Sequence, residues 1–341
     1  MHFEDAVARY LAQRLPDACD IQVSNLSRIP GGASRETWSV DASWTDGQGR
    51  ERRQGLIIRR DPPASLLDTD RRLEFAFYRS FEGTSVPVPR ALWLETDPGP
   101  LERPFSVMER IDGCESQFQL LLDPSFAPYR EALGRRMYEI LADIATTPIA
   151  GLPAAAVAEV PDPAVCWRRE LERWEQVIDA NELEPQPIAR AGIRWLRRYP
   201  PPPAPRVSVV HGDYRTGNFL YRHDEIFGIL DWEMAHFGDP HEDLAWSFLK
   251  TWQWAKDGKV GGVLDRADAV RIWEARAGLR VSHEALHWWG VFSCVKAQGI
   301  WLTAAREFAE GRATDLLMAF TAYWLINSQD KFLLEELGRL A

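Results

Sequence analysis

The chain has 341 residues, of which 45% are hydrophobic and 26% are charged. This length and composition are those of a globular protein with room for about two domains or one bilobal unit, and they exclude a short disulfide-stapled scaffold. Forty basic and fifty acidic residues give a formal net charge of −10. That sign argues against nucleic acid as a partner, because phosphate backbones are bound by concentrated positive charge.

The cysteines are isolated, which bears on the redox compartment. They are Cys19, Cys114, Cys166 and Cys294, and no two of them form a C-x-x-C pair. Isolated thiols are typical of reduced proteins, so we expect a cytoplasmic location. The N-terminal segment has no basic stretch before an apolar one, and no apolar run approaches the roughly twenty residues that cross a membrane. We therefore expect neither a signal peptide nor a membrane partner, and the oligomeric state stays unknown.

The chain up to about residue 110 is predicted to form a small sheet. Apolar residues at helical spacing first predict a helix over 3–15, which ends before Pro16. Alternating apolar residues and two Gly-containing turns, at 30–32 and 46–49, then predict an antiparallel meander. The strands of the meander are predicted at 21–29, 36–44 and 54–60. A helix is predicted next, at 66–81, and two further strands follow at 91–95 and 104–110.

Beyond residue 113 the periodicity is mostly helical. Helices are predicted over 129–145, 163–180, 187–198, 243–254, 266–277, 283–308 and 313–328. Two short β-rich runs, at 206–210 and 226–231, interrupt this part, and the loop 211–218 lies between them. Strands in a helical environment indicate that this loop is held rigidly. The fold class is therefore α+β.

The segment H-G-D-Y-R-T-G-N at 211–218 carries the clearest chemical signal. Asp213 and Asn218 stand five residues apart on the loop, and Asp231 ends the hydrophobic strand that follows. Metal-assisted phosphoryl transfer needs a carboxylate that accepts the proton of an attacking hydroxyl, and hard oxygen ligands for Mg²⁺. The alternative is that Asp, Gly and Asn stand there for turn chemistry alone. Both halves of the pattern at this spacing favour phosphoryl transfer.

On these residues, H-G-D-x-x-x-x-N at 211–218 and D-W-E at 231–233, the chain resembles the aminoglycoside phosphotransferase family over most of its length. The resemblance implies a bilobal, protein-kinase-like fold. Its N-lobe, residues 1–110, is expected to hold a five-stranded antiparallel sheet plus a helix and to position the nucleotide. Its mostly helical C-lobe, residues 111–341, is expected to carry the catalytic loop and the acceptor site. In detail the sequence is similar to the kinase-like domains associated with acyl-CoA dehydrogenases.

The resemblance also implies roles for the motif residues. Asp213 is expected to be the catalytic base, and Asn218 and Asp231 are expected to be the magnesium ligands. Arg215 stands where related enzymes place a cation near the transferred phosphate, which would stabilise charge on its oxygens. The alternative for Arg215 is a solvated surface side chain.

Two further residues are expected to support the loop. His211 begins the motif and is expected to be a structural prop. Asp243, in the segment G-D-P-H-E-D-L-A, matches an aspartate that buttresses the catalytic loop in the family. Asp243 is also a candidate helix N-cap, so a purely structural interpretation suffices for it.

The turn between the first two strands is expected to approach the nucleotide. It reads P-G-G-A-S-R, and a loop without bulky side chains lets backbone N–H groups reach phosphates. By resemblance, Gly31, Gly32 and Ser34 are expected to bind the nucleotide. Many hairpins contain Gly-Gly for turn geometry alone, and the full G-x-G-x-x-G pattern is absent here.

The resemblance extends to the third strand, the next helix and the last strand of the sheet. Arg59 stands where a lysine usually grips the α- and β-phosphates, and an arginine keeps the charge and binds phosphate bidentately. Glu74 matches the acidic partner of that cation, with a solvent-facing helix charge as the alternative. Backbone groups from Glu109 to Ile111 are expected to meet the adenine edge.

A zinc motif is the main competing signal. His283-Glu284-Ala285-Leu286-His287 reads H-E-x-x-H, which on a helix places two imidazoles on one face for zinc with Glu284 as base. No further histidine follows, and the adjacent Trp288 and Trp289 indicate a packed helix. We therefore regard a zinc hydrolase as a remote alternative.

The acceptor is not identified by the sequence, because such pockets are built from variable helices and loops. Most of the fifteen tryptophans follow residue 160, and a helical core is their ordinary explanation. Those that could instead line an acceptor pocket are Trp246, Trp252, Trp254, Trp288, Trp289 and Trp301. An aromatic pocket would suit an acceptor less cationic than an aminoglycoside.

Together, the motif residues and the resemblance predict a Mg²⁺-dependent phosphotransferase, and the resemblance implies ATP as the nucleotide, with GTP as the alternative. Its acceptor is expected to be a hydroxyl of a small molecule, either an aminoglycoside-like antibiotic or a metabolite such as a hydroxyacyl thioester. The second hypothesis is a nucleotide-binding module without strong catalysis, because the strand lysine and the full Gly-rich pattern are missing. Each hypothesis has its own observable: acceptor-dependent turnover, nucleotide binding alone, or bound zinc.

Overall fold

The computed structural model describes residues 3–29, 36–61, 70–116, 123–253, 257–313 and 316–338. Some of the predictions above fall outside these ranges. They are the proposed nucleotide contacts of Gly31, Gly32 and Ser34, the first part of the helix predicted at 66–81, and Trp254.

A five-stranded antiparallel sheet occupies the first part of the chain. Its strands are β1 (Cys19–Ile29), β2 (Glu36–Thr45), β3 (Glu51–Arg60), β4 (Ala91–Glu95) and β5 (Phe105–Glu109). They lie in the order β1-β2-β3-β5-β4. Strands β2 and β3 pair in unbroken register, from Glu36 opposite Arg60 to Thr45 opposite Glu51. The predicted meander and the two later strands are confirmed.

The alternation of side chains along β3 determines which face of the sheet carries Arg59. Leu56 and Ile58 are buried in the apolar cluster that the sheet forms with α1 (Phe3–Arg14). Arg59 follows Ile58 directly, and successive side chains of a strand point to opposite faces. Arg59 therefore faces the other side of the sheet. On that side lies α2 (Arg71–Phe81), whose N-cap Asp70 accepts a hydrogen bond from the amide of Arg72.

The remainder of the described chain is mostly helical. Its helices are α3 (Arg130–Thr146), α4 (Cys166–Asn181), α5 (Pro187–Arg198), α6 (His241–Ser247), α7 (Arg266–Ala277), α8 (His283–Ala309), α9 (Leu316–Phe320) and α10 (Ile326–Glu336). A π-helical turn, Thr321–Leu325, joins α9 to α10. Five of the predicted helices, those at 129–145, 163–180, 187–198, 266–277 and 283–308, are found within a few residues of their predicted ends.

Two helix predictions are wrong in extent. The helix predicted at 243–254 ends at Ser247, because Leu249 has an extended backbone (φ −52°, ψ 134°) and only a short 3₁₀ turn, Lys250–Trp252, follows. The helix predicted to end at 328 continues to Glu336. Its last turns bury Leu333 and partly bury Phe332, which extends the apolar stripe that holds the helix on the core.

Two short pairs of antiparallel strands frame the loop 211–218. Strand β6 (Ser208–Val210) pairs with β9 (His236–Gly238), and β7 (Phe219–Arg222) pairs with β8 (Glu225–Ile229). The sequence predicted β6 and β8 but neither of their partners. Three- and four-residue strands leave too little alternation to be recognised without the pairing itself.

All four cysteines are free. Cys166 and Cys294 are buried, and burial raises the pKa of both thiols, that of Cys166 to about 12. Both therefore stay protonated and unreactive at neutral pH. Among the described residues, no helix is long and apolar enough to cross a membrane.

The larger apolar core joins α2 to the helical part of the chain. Trp232 is fully buried in this core. Its ring lies 4.7 Å from that of Phe81 and 4.5 Å from the imidazole of His211, measured between centroids. Its indole N–H donates to the carbonyl of Ile229 at 3.0 Å. This one side chain therefore packs helix α2 against the loop that follows β6.

Trp232→Ala is expected to lower the free energy of unfolding by about 3–5 kcal/mol, because it removes a buried aromatic side chain and leaves a cavity. Chemical denaturation monitored by circular dichroism measures this. Trp324→Ala is the matched control, since Trp324 is 64% exposed. Its loss should change the free energy by less than about 1 kcal/mol. Equal effects of the two substitutions would contradict the packing role of Trp232.

Candidate active site

The loop 211–218 brings the carboxylate of Asp213 together with three donors. Oδ1 accepts from the indole N–H of Trp246 at 2.9 Å, and Oδ2 accepts from Nδ2 of Asn218 at 2.7 Å. Nε of Arg215 lies 3.0 and 3.2 Å from the two oxygens. Asp213 is only 8% exposed. A carboxylate held from three sides keeps one orientation, which a reacting group requires.

The backbone of this loop is fixed by one buried carboxylate. Asp243, on α6, accepts from the amide of His211 at 2.6 Å and from that of Gly212 at 2.9 Å. Burial raises the pKa of Asp243 to about 6, although the two amides oppose the shift. Gly212 has φ +84°, and a Cβ there would lie 2.5 Å from the carbonyl oxygen of Met234. The turn therefore requires glycine at this position.

The imidazole of His211 ties the loop to the strand end before Asp231. Its Nδ1 accepts from the amide of Asp213 at 3.1 Å, so its Nε2 carries the proton and donates to the carbonyl of Leu230 at 2.9 Å. Burial lowers the pKa of His211 to about 4, which keeps the ring neutral at physiological pH. A neutral ring with both nitrogens bonded is a structural support.

Asp231 lies in the left-handed backbone region, with φ 69° and ψ 54°. Its amide donates to the hydroxyl of Tyr78 at 2.9 Å, and its Oδ1 accepts from Nη2 of Arg59 at 2.8 Å. Nη1 of Arg59 lies 3.0 Å from Oε1 of Glu74. Burial raises the pKa of Asp231, but the guanidinium of Arg59 outweighs burial and holds it below its usual range. One arginine thus joins β3, α2 and the end of β8.

Some of these residues line a cleft of about 420 Å³ between the sheet and the helical part. From the sheet side come Arg59, Glu109 and Ile111, and from the other side come Asn218 and Asp231. Glu109 and Ile111 lie at and just beyond the end of β5. A cleft with an apolar lining and a few convergent charged groups is the usual form of a small-molecule site.

The structure therefore brings the predicted residues into two adjoining groups. Asp213, Arg215 and Asn218 form one group, and Arg59, Glu74 and Asp231 form the other. Asn218 and Asp231 line the same cleft.

The loop supports lie behind these two groups. His211 and Asp243 bond the loop backbone on the buried side. The N-cap interpretation of Asp243 is wrong, because α6 begins at His241 with Pro240 as its N-cap and the side chain of Asp243 is bonded to the loop.

Two contacts of the site were missed by sequence reasoning. The indole of Trp246 donates to Asp213, and the hydroxyl of Tyr78 accepts from Asp231. Trp246 stands three residues after Asp243 on α6, and residues at this spacing share one helix face. That spacing was the available signal: a helix that supports the loop through Asp243 presents Trp246 to the same loop.

The described tryptophans that were acceptor-pocket candidates all belong to the main apolar core. Trp252 lies 5.6 Å from Trp246 and 6.3 Å from Trp301 between ring centroids, and the guanidinium of Arg215 stands 4.7 Å from the centroid of Trp252. Trp288 and Trp289 are both buried in the main core. Trp246, Trp252 and Trp301 therefore form an aromatic row that runs from the carboxylate of Asp213 into this core.

The H-E-x-x-H segment begins α8. There the imidazole of His287 bonds the carbonyl of Glu336 at 2.9 Å and packs against Trp195. In the part of the chain that the structure describes, the one group of three residues able to share a metal ion is Glu170, His236 and Glu242, which includes neither His283 nor His287. The geometry gives the zinc alternative no third ligand among these residues.

Comparisons with known proteins place the chain among phosphotransferases. The family model described as "Phosphotransferase enzyme family" matches residues 25–280. The chain is 30% identical over 200 residues to acyl-CoA dehydrogenase family member 10 of Mus musculus, an alignment that covers 57% of this chain and 18% of that protein. The chain matches less than a third of the length of the acyl-CoA dehydrogenase relatives.

Solved structures share the fold. An aminoglycoside phosphotransferase candidate from Ralstonia eutropha JMP134 superposes with a TM-score of 0.74 at 20% identity, covering 98% of each chain. A thermostable mutant of aminoglycoside phosphotransferase APH(4)-Ia, in ternary complex with AMP-PNP and hygromycin B, gives 0.59 at 16% identity, covering 96% of this chain and 97% of that one. The chain belongs to the phosphotransferase enzyme family and has the bilobal, protein-kinase-like fold of the aminoglycoside phosphotransferases.

Proposed function

We propose that this protein transfers the γ-phosphoryl group of ATP, with Mg²⁺, to a hydroxyl group of a small molecule. The observation that carries the proposal is the carboxylate of Asp213, oriented by Trp246, Arg215 and Asn218 beside a cleft that Arg59 and Asp231 enter. Such a carboxylate can accept the proton of an acceptor hydroxyl as its oxygen attacks phosphorus. In this proposal residues 1–110 position the nucleotide, and residues 111–341 carry the catalytic loop and the acceptor site.

The nucleotide is proposed to occupy the cleft between the sheet and the helical part. Among the described groups, none accepts a hydrogen bond from the amide of Ile111, whereas the amides of Glu109 and Arg110 are bonded to Arg90 and Gly55. The Ile111 amide and the Glu109 carbonyl are proposed to meet the adenine edge. Arg59 is proposed to bind the phosphates while Glu74 holds its guanidinium.

Further nucleotide contacts are proposed outside the described residues. Gly31, Gly32 and Ser34, in the segment between β1 and β2, are proposed to approach the phosphates. One solved relative is a complex of an aminoglycoside phosphotransferase with hygromycin B and AMP-PNP, and another contains GDP. We propose ATP as the nucleotide, with GTP as the alternative.

Asn218 and Asp231 fit a magnesium site. The amide nitrogen of Asn218 donates to Oδ2 and to the backbone carbonyl of Asp213, at 2.7 and 2.9 Å. Its amide oxygen is therefore turned away from these acceptors and is available as a ligand. With the carboxylate of Asp231 on the same cleft, this supplies the hard oxygen donors that Mg²⁺ prefers. The bound ion would neutralise charge on the nucleotide phosphates.

The surroundings of Asp213 favour a neutral or anionic acceptor over a polycation. The charged side chain in contact with its carboxylate is the cation of Arg215, whose face lies over Trp252. The aromatic row continues through Trp301. We propose a hydroxylated metabolite with an apolar part, of which a hydroxyacyl thioester is the example that the acyl-CoA dehydrogenase relatives suggest. An aminoglycoside-like antibiotic is the second candidate.

A catalytically weak nucleotide-binding module remains the competing function. The arginine at position 59 favours it, because lysine is usual there. The bonds of Arg59 to Glu74 and Asp231 support catalysis instead, since they place a cation between the proposed helix partner and a proposed metal ligand. Arg215 is proposed to stabilise charge on the transferred group.

Asp213→Asn is expected to reduce acceptor-dependent ADP release at least about 100-fold, because the amide cannot accept the hydroxyl proton. Nucleotide binding should persist, since Asp213 lies outside the lining of the cleft. A thermal-shift and ADP-release screen with Mg-ATP and Mg-GTP, against hydroxyacyl-CoAs, sugars, amino alcohols, macrolides and aminoglycosides, identifies the acceptor and then compares the variants.

The control for this test is Asp224→Asn, in the exposed turn between β7 and β8. It should turn over like the wild type. Full activity of Asp213→Asn would refute the assigned base. Stabilisation of the wild type by nucleotide without ADP release for any acceptor would favour the binding module.

Asp231→Asn is expected to raise the magnesium concentration for half-maximal ADP release at least about tenfold, because a neutral amide replaces a carboxylate ligand. Titration of MgCl₂ at fixed ATP measures this, with Asp224→Asn again as control. An unchanged magnesium dependence would remove Asp231 from the metal site.

Arg59→Met is expected to raise the KM for Mg-ATP about tenfold or more, because a charge-assisted bond to phosphate is lost. Arg59→Lys should retain part of the affinity, since the charge remains but one ammonium cannot replace the guanidinium at Glu74, Tyr78 and Asp231 together. Initial-rate kinetics of the two variants measure the difference. Equal KM values for the wild type and Arg59→Met would contradict a phosphate contact.

A further inference from the structure

A fully buried lysine lies directly behind the proposed catalytic loop. Lys296, on the long apolar helix α8, is 1% exposed. Removing an ammonium group from water is unfavourable unless close partners replace the lost hydration. The partners of this side chain therefore indicate what its burial achieves.

Lys296 contacts two groups that adjoin the proposed base Asp213: the preceding residue of the loop and a hydrogen-bond donor to its carboxylate. Its Nζ donates to the carbonyl of Gly212 at 2.7 Å, and Gly212 immediately precedes Asp213. The same ammonium stands 4.9 Å from the ring centroid of Trp246, whose indole N–H donates to Asp213. One cation thus holds the loop backbone on one side of the base and the donor to its carboxylate on the other.

The charge of Lys296 is balanced inside the fold. Nζ also donates to Oε1 of Glu242 at 3.0 Å, and Oε2 of Glu242 lies 3.1 Å from Nε2 of His236. Glu170 lies 3.7 Å from the same imidazole nitrogen. Burial lowers the pKa of His236, but the charges of Glu170 and Glu242 outweigh burial and raise it. The ammonium of Lys296 and the imidazole of His236 therefore both lie against buried carboxylates.

This balance also decides against a metal ion among Glu170, His236 and Glu242, the three residues whose ligand atoms lie close enough to share one. Both oxygens of Glu242 already have partners, the ammonium of Lys296 on one side and the imidazole of His236 on the other. Nδ1 of His236 donates to the carbonyl of Met234 at 3.0 Å. The ammonium of Lys296 supplies the positive charge that a metal ion would otherwise bring to Glu242.

We propose that Lys296 is a positioning residue for phosphoryl transfer: it fixes the Gly212 carbonyl and the Trp246 indole, and through them the carboxylate of Asp213. The inference rests on the proposed function for its catalytic consequence, whereas the ordering of the loop by Lys296 is independent of it. A residue that acts in this way affects turnover and leaves the nucleotide cleft unchanged.

The test removes the lysine without leaving a buried unpaired carboxylate. Lys296→Met alone strands Glu242, so the informative variant is Lys296→Met combined with Glu242→Gln, whose side chains are uncharged and similar in size. Lys250→Met is the matched control, because Lys250 is an exposed lysine that also pairs with a glutamate, Glu335. Each variant is made in the full chain and in the Asp213→Asn background.

Two readouts separate positioning from general destabilisation. Amide hydrogen exchange of residues 208–218 should be about tenfold faster in the double variant than in the Lys250→Met control. ADP release, with the acceptor found in the screen or with water alone, should fall about tenfold at unchanged KM for Mg-ATP. In the Asp213→Asn background the double variant should cause no further loss, because both changes remove the same function.

Two results would overturn the proposal. Unchanged exchange in the loop would show that Lys296 does not order it. Equal loss of activity with and without Asp213 would show a general structural role. A wild type that releases no ADP under any condition would refute the proposed function, and loop exchange alone would then decide the role of Lys296.

Discussion

The candidate site depends on one short helix that fixes a loop from within the core. Helix α6 has seven residues, and three of its side chains face the loop 211–218 or its supports. Asp243 accepts from two loop amides, Trp246 donates to the carboxylate of Asp213, and Glu242 pairs with Lys296. A loop bonded through both its backbone and its side chain cannot rearrange unless several buried polar groups lose their partners together. The short strand pairs and long helices around the loop bury these groups, and burial strengthens their hydrogen bonds.

Much of the sheet and of the candidate site could be predicted from the sequence, because the relevant signals are local. Alternation along β3 predicted the strand, and its period places Arg59 opposite the face that buries Leu56 and Ile58. The spacing of Asp213, Asn218 and Asp231 predicted that they would act together, and Asn218 and Asp231 line one cleft. Glu74 was predicted as the partner of Arg59 and lies 3.0 Å from it.

Other features could not be predicted, because they arise from contacts between distant parts of the chain. Strand β9 has three residues and exists through its pairing with β6. The end of α6 depends on the backbone at Leu249, where the apolar pattern continues without a break. Lys296 reads in sequence as one charge on an apolar helix. Its contact with the proposed catalytic loop forms only when α8 packs against α6, because the Gly212 carbonyl that it bonds lies 84 residues away along the chain.

The backbone at Asp231 shows how the two parts of the molecule are coupled at the cleft. A non-glycine residue in the left-handed region carries about 1–2 kcal/mol of strain and persists when its surroundings determine it. Here Tyr78 of α2 accepts from the strained amide, and Arg59 of β3 bonds the carboxylate. Both partners come from the sheet side of the cleft, whereas Asp231 belongs to the helical side. The position of a proposed metal ligand therefore depends on contacts from β3 and α2 as well as on its own strand end.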